Sequence, residues 1–205
     1  MPDLHQLVDP AHTAVVTMEL ERGVVGDLAT IDELAKVVRQ SGMLDAVSRL
    51  VHAARPAGAR VVHCICEWHA DRAGTALNTP LQASLARNPR QILRDTPAVD
   101  LVSGLGPDPG DLVSRRVHGL TPFTGTDLDM LLRNTGVTTV IATGVSLNVG
   151  VLGLCLSAAD LGYRVVVPTD AVAGVPQHYG AEVLHHTIGM IATLTTVDDV
   201  CAAWS

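Results

Sequence analysis

Six short apolar runs rich in β-branched residues, separated by segments of helix length, constrain this chain more than any other feature. The runs cover residues 13–18, 60–66, 112–114, 137–143, 164–168 and 190–196. They are continuous rather than alternating, so each is expected to be buried on both faces, as strands of a parallel sheet are. Between them, residues 31–55, 126–135, 147–161 and 177–189 carry helical periodicity. Strand and helix in alternation predict a three-layer α/β sandwich, a six-stranded parallel sheet with helices on both faces. Turn residues punctuate the joints: Pro56 and Gly58 after the first helix, Asn134 and Gly136 after the third, Leu161 and Gly162 after the fourth. With 205 residues the chain reads as one domain, 1–205. Residues 71–110, rich in Pro, Gly and Arg with one short helix at 81–87, form a long excursion of the kind that makes a lid.

Composition narrows the function. The chain is 47% hydrophobic and 17% charged, which excludes a disordered chain. Aromatic residues are 2%, too few for base-stacking platforms, and the net charge of -7 offers no basic footprint. Nucleic acid and an anionic membrane surface are therefore not expected as partners, and a small-molecule substrate is. Lys36 is the only lysine beside thirteen arginines, so any chemistry needing a lysine would have to use it. Cys64, Cys66, Cys155 and Cys201 form no C-x-x-C pair, and no basic stretch followed by an apolar run opens the chain. These read as the thiols of a cytoplasmic protein. No apolar stretch reaches the ~18 residues of a membrane span.

In an open parallel sheet ligands bind beyond the carboxyl ends of the strands, where the strand order reverses. The residues to inspect are Glu19 and Glu21 after the first strand, 67–71 after the second, 115–118 after the third and 144–150 after the fourth. The sequence HCICEWHAD, 63–71, crowds potential metal ligands together. In a strand, however, His63, Ile65 and Glu67 point one way and Cys64 and Cys66 the other, so four ligands cannot converge from it alone.

The stretch 121–174, with FTGTDLDMLLRNTGVTTVIATGVSLNVGVLGLCLSAADLGYRVVVPTDAVAG as its body, resembles the isochorismatase-like, or cysteine hydrolase, family. The likeness extends to AVVTMEL, 14–20, where that family has a strand ending in an acidic residue. The resemblance implies a six-stranded parallel sheet flanked by helices and a homo-oligomer, a homodimer or homotetramer. Amidases of the family share an Asp ending the first strand, a Lys after the third and a Cys opening the helix after the fourth. This sequence departs at all three: Glu19 falls at the Asp, Arg116 (or Val117, counted back from Phe123) at the Lys, and Gly150 at the Cys of the G-V-S-T-N-V-C pattern.

The departures matter chemically. Thiolate-driven amide hydrolysis needs a sulfur nucleophile, a carboxylate to take its proton and a cation to hold the thiolate. Gly150 cannot attack, and Arg116 supplies charge without shuttling protons. Cys155 lies more than a helical turn deeper and reads as a core residue. No thiol is therefore expected beside Glu19. The isochorismatases themselves carry Gly at that position and cleave a vinyl ether, which needs a carboxylic acid to protonate carbon and water to capture the cation. Glu19 would be that acid, kept protonated by burial, or else a buried carboxylate paired with Arg115 or Arg116.

The turn 144–150 is expected to hold an anion on backbone N–H groups at a helix end, with Val145, Ser146, Asn148 and Gly150 at the substrate; the bland reading is an ordinary glycine turn. The family likeness places a non-proline cis peptide at Val145–Ser146. Metal-dependent relatives carry an acidic-x-His pair similar to Glu67-Trp68-His69, but their further His has no counterpart, so neither metal nor cofactor is expected. Trp68, His69 and His118 read as pocket-lining residues, while His185 and His186 read as solvated or interface histidines. Two functions follow: a hydrolase acting on a small anionic metabolite by acid/base-assisted water attack with Glu19 and Arg116, or an inactive relative that binds a metabolite or assembles with a partner.

Overall fold

A computed structural model describes residues 3–205. The strands are β1 (Thr13–Met18), β2 (Arg60–Cys66), β3 (Leu112–Arg116), β4 (Thr139–Gly144), β5 (Arg164–Pro168) and β6 (Thr193–Thr195). They form one sheet in the order β3-β2-β1-β4-β5-β6, every pairing parallel. The helices are α1 (Leu4–Leu7), α2 (Asp32–Ser41), α3 (Met43–Ala57), α4 (Pro80–Arg87), α5 (Leu128–Asn134), α6 (Leu152–Asp160), α7 (Gln177–His186) and α8 (Val197–Ala203).

Alternate strand residues face two cores. Val15, Val61, Ile141 and Val166 pack with α2, α3 and α8, whereas Val16, Val62, Val140 and Val165 pack with α5, α6 and α7. This is the expected three-layer sandwich, and β1 and β4 are buried along their whole length. The strand order reverses between β1 and β4, which directs the chains leaving these strands to opposite sides and opens a crevice between them.

Several boundaries differ from expectation. The segment 31–55 is two helices, because Gly42 takes a left-handed φ of 71° that closes α2 and opens α3. Pro56 lies within the last turn of α3 rather than after it. β3 runs on through Arg115 and Arg116, and the helix after β4 begins with a π-helical turn, Leu147–Val151. The excursion 71–110 contains α4 and a short 3-10 turn, Pro97–Val99, and returns to the sheet through an antiparallel bridge between Leu101 and Glu21. Helix α8 has no counterpart among the expected elements.

Candidate active site

Where β1 to β4 end, their trailing residues enclose a cavity of about 270 Å³. That is room for about nine waters at ~30 Å³ each, the scale of a small metabolite. Its walls are largely apolar. Ile31, just before α2, Leu34 of α2, Leu81 and Leu85 of α4, Trp68 and Ile92 all line it. Residues of the excursion thus form one side of the cavity. The polar groups collect at the strand ends, where Glu19, Arg116, His118, Ser146 and Asn148 all line it.

Glu19 is the first residue beyond β1. Its amide still donates to the Cys64 carbonyl at 2.9 Å, but its φ of 54° is left-handed, a conformation uncommon outside glycine, and the chain turns sharply there. Across the cavity floor Arg116, paired in register with Cys66, ends β3. Its Nη2 donates to the Glu19 carboxylate. The Arg116 side chain is 7% exposed, and its Nη1 has no protein partner. Burial works against this charge, yet the Glu19 carboxylate more than offsets it and the guanidinium is held firmly protonated.

Behind this pair lies Glu21, fully buried. Its Oε1 accepts the Cys66 amide at 2.6 Å, while Oε2 has no partner. Burial, reinforced by the charge of Glu19, pushes its pKa from the ordinary 4.5 up to about 8. Glu21 is therefore a neutral acid at neutral pH. The sequence placed it near the cleft only as one of the residues following β1. Its role was not legible, because a carboxylate two positions past a strand usually meets water.

Cys66 corrects the expectation that no thiol stands beside the terminal carboxylate of β1, since it lines the same cavity as Glu19. Its surroundings are the reverse of those that make a nucleophile. Burial, then Glu21 and Glu19, raise the thiol well above its usual 9.0, so it stays protonated. Cys155 sits in the core against α5 and the sheet, 0% exposed, with burial pushing its thiol up to about 12.

The turn after β4 is built by close approach. Gly144 has a φ of 106°, and a β-carbon there would lie 2.2 Å from the Met18 carbonyl oxygen, so only glycine fits. The peptide between Val145 and Ser146 is cis, at the position the family likeness indicated. Four amides of the turn are already committed: Val145 to Met18, Leu147 to Ala173, and Val149 and Val151 to Ser146. Those of Ser146, Asn148 and Gly150 belong to residues that line the cavity. The Ser146 hydroxyl donates to Asn148 Oδ1 at 2.5 Å.

Three residues expected at the cleft, Arg115, Val145 and His69, do not line the cavity. Arg115 alternates with Arg116 along β3, so its side chain points out, 53% exposed, and its Nη1 donates to Glu67 at 2.8 Å. Val145 is buried against the sheet at 0% exposure. His69 sits outside the lining, its carbonyl accepting the Arg72 amide in a tight turn. Trp68 does line the cavity, with the Arg72 guanidinium 4.1 Å from its ring centroid. His118 lines it too, and its Nδ1 accepts the Ala76 amide, tying the excursion to the end of β3. The Glu67 carboxylate is occupied by Arg94, at 2.6 Å from Nε, and by Arg115. Among the described residues no three His, Cys, Asp or Glu side chains are grouped to hold a metal ion, and no helix is long and apolar enough to cross a membrane.

Residues 13–199 match the model of the Isochorismatase domain. The chain is 30% identical to the isochorismatase family protein YecD of Escherichia coli O157:H7, over 93% of this chain and 95% of that one. It is 29% identical to the ureidoacrylate amidohydrolase RutB of Methylorubrum extorquens, over 82% and 73% respectively. Among solved structures, an isochorismatase family protein from Desulfovibrio vulgaris superposes with a TM-score of 0.78 at 25% identity, covering 93% of this chain and 98% of that one.

Proposed function

The chain belongs to the isochorismatase family of hydrolases, and we propose that it hydrolyses a small anionic metabolite by direct attack of water, with no covalent cysteine intermediate. The observation that carries this reading is the end of the cavity where Arg116 holds Glu19 through one guanidinium nitrogen, its other nitrogen is buried without a protein partner, and a glycine, Gly150, lines the same cavity.

The parts act as follows. The free Nη1 of Arg116 takes an oxygen of the substrate's anionic group, a charge-assisted bond strengthened by burial. The Glu19 carboxylate, held by Arg116 at the end of the cavity, takes a proton from a water molecule. The water oxygen bonds to the electrophilic carbon, the bond to the leaving group breaks, and the proton held by Glu19 passes to that group. Backbone amides of the turn after β4 face the developing negative charge. For a vinyl ether the order inverts: Glu19, once protonated, gives its proton to carbon and water captures the cation. The apolar walls accept a compact hydrocarbon or unsaturated body. The amidohydrolase RutB among the relatives favours an amide or ureido bond as the one cleaved.

Cys66 is set aside as the attacker in this reading by its environment, since burial and the neighbouring Glu21 and Glu19 carboxyl groups disfavour the thiolate that would have to attack. The test is Glu19→Gln. Loss of hydrolysis by ~10²–10⁴-fold with ligand affinity retained supports the assignment. Unchanged turnover removes Glu19 from the mechanism, and a cavity that binds anions without hydrolysing any would favour the inactive, metabolite-binding alternative.

A further inference from the structure

Glu21 takes no part in the steps above, yet it is the one acidic side chain buried directly behind them. It has a single hydrogen bond, from the Cys66 amide, and an oxygen with no partner. The titratable and charged groups that face it are Glu19 on its own turn, Cys66 and Cys64 on β2, and Arg116 on β3. Arg116 is the only cation among them. With Glu21 neutral, the floor holds one carboxylate and one guanidinium, a net charge of zero with a guanidinium nitrogen to spare. With Glu21 ionised, two carboxylates would share one guanidinium and the floor would be negative.

We infer that Glu21 is a positioning and specificity-determining residue: as a neutral acid it leaves Arg116 free to hold an anion beside Glu19, and as a carboxylate it draws on that guanidinium and turns anions away. Coulomb interactions fall off as the first power of distance and are less screened in a buried site than in water, so Glu21 need not touch the ligand to do this. The backbone of Glu21 fixes its distance from the floor. Its carbonyl accepts the amides of Val24 and Val25, and the residue bridges to Leu101 where the excursion returns. The side chain starts fully buried, with its Oε1 held by the Cys66 amide. Its raised pKa, about 8, places the change within reach of ordinary buffers.

The inference rests on the anion-binding reading of the cavity, and two measurements separate them. Carbon-13 NMR of glutamate-labelled protein follows the Glu19 carboxyl from pH 6 to 9.5 without any ligand. A Glu19 inflection near pH 8 in the wild type that disappears in Glu21→Gln is the expected result. A Glu19 signal that titrates identically in both proteins overturns the inference, whatever the cavity binds. Glutamine keeps the acceptor for the Cys66 amide and cannot ionise, so the variant isolates charge from packing. In parallel, benzoate serves as a small monoanionic probe, its binding followed by Trp68 fluorescence with Trp204→Phe as background. Affinity is expected to fall at least tenfold as pH rises through 8 in the wild type and to stay level in Glu21→Gln; a parallel fall in both contradicts the inference. Failure of benzoate and related monoanions to bind any variant at any pH instead rejects the anion-binding reading, and the NMR result then decides on Glu21 alone.

Discussion

Met18 fills the space against Gly150: a β-carbon built on the glycine would lie 3.0 Å from the Met18 Cε and 2.9 Å from the Val145 carbonyl oxygen. The end of β1 and the turn after β4 have closed over the place where a nucleophilic side chain would project. Gly150→Cys is therefore expected to restore no thiol chemistry. The Val145 carbonyl and the Met18 methyl must both give way to admit the β-carbon, at a cost of ~1–3 kcal/mol of stability. Thermal melts and alkylation of the new cysteine check both points.

Arg116→Lys keeps the charge but loses the planar fork that serves Glu19 and an anion together. Affinity for small monoanions is expected to drop by about tenfold or more. Arg116→Ala does more damage, leaving Glu19 without its counter-ion on a floor that is largely desolvated, and about 3 kcal/mol of stability should go with it. Calorimetric titration and denaturant unfolding measure the two effects.

Arg115 is the control for that experiment. It is half exposed, sits on the other face of β3 and shares Glu67 with Arg94. Arg115→Ala should cost no more than about 1 kcal/mol and leave kcat and KM unchanged. A loss of turnover comparable with that of Arg116→Lys would mean that the outward face of β3 takes part after all.

Glu21 makes stability depend on pH with a defined sign. Its folded pKa of about 8 lies above the ordinary 4.5, so its contribution is complete below pH 4.5 and is lost as pH rises through 8. Between those values the unfolded chain has released a proton that the folded chain keeps. The folded state should lose up to about 1.4 kcal/mol per pH unit from this group. Glu21→Gln removes the slope and should be the more stable protein at pH 7. Urea unfolding of both proteins at pH 5, 6, 7 and 8 checks it.

The layered sheet was readable because burial on both faces leaves short, β-branched runs without alternation, as in 13–18, and these recur between helix-length segments. Motif spacing located Glu19, Gly150 and the turn after β4. What the sequence left open were the facts that depend on register and depth. Whether Arg115 or Arg116 faces the cleft turns on where β3 ends, and two more strand residues than expected decided it. Glu21 and Cys66 were named but not understood, since their behaviour comes from tertiary burial, and the chain that bridges to Glu21 lies some eighty positions away at Leu101. The split at Gly42 was marked by its own residue, a glycine inside a helical pattern, though periodicity on both sides masked it.

Cys66→Ala tests the central claim most directly, because Cys66 is the thiol that shares the cavity with Glu19. The backbone amide that Glu21 accepts remains in the variant. If water is the attacker, the variant hydrolyses small anionic amides or vinyl ethers within about threefold of the wild-type kcat/KM. Loss of turnover by several orders of magnitude in a folded Cys66→Ala protein, with an acyl adduct on Cys66 trapped in the wild type, would contradict the account.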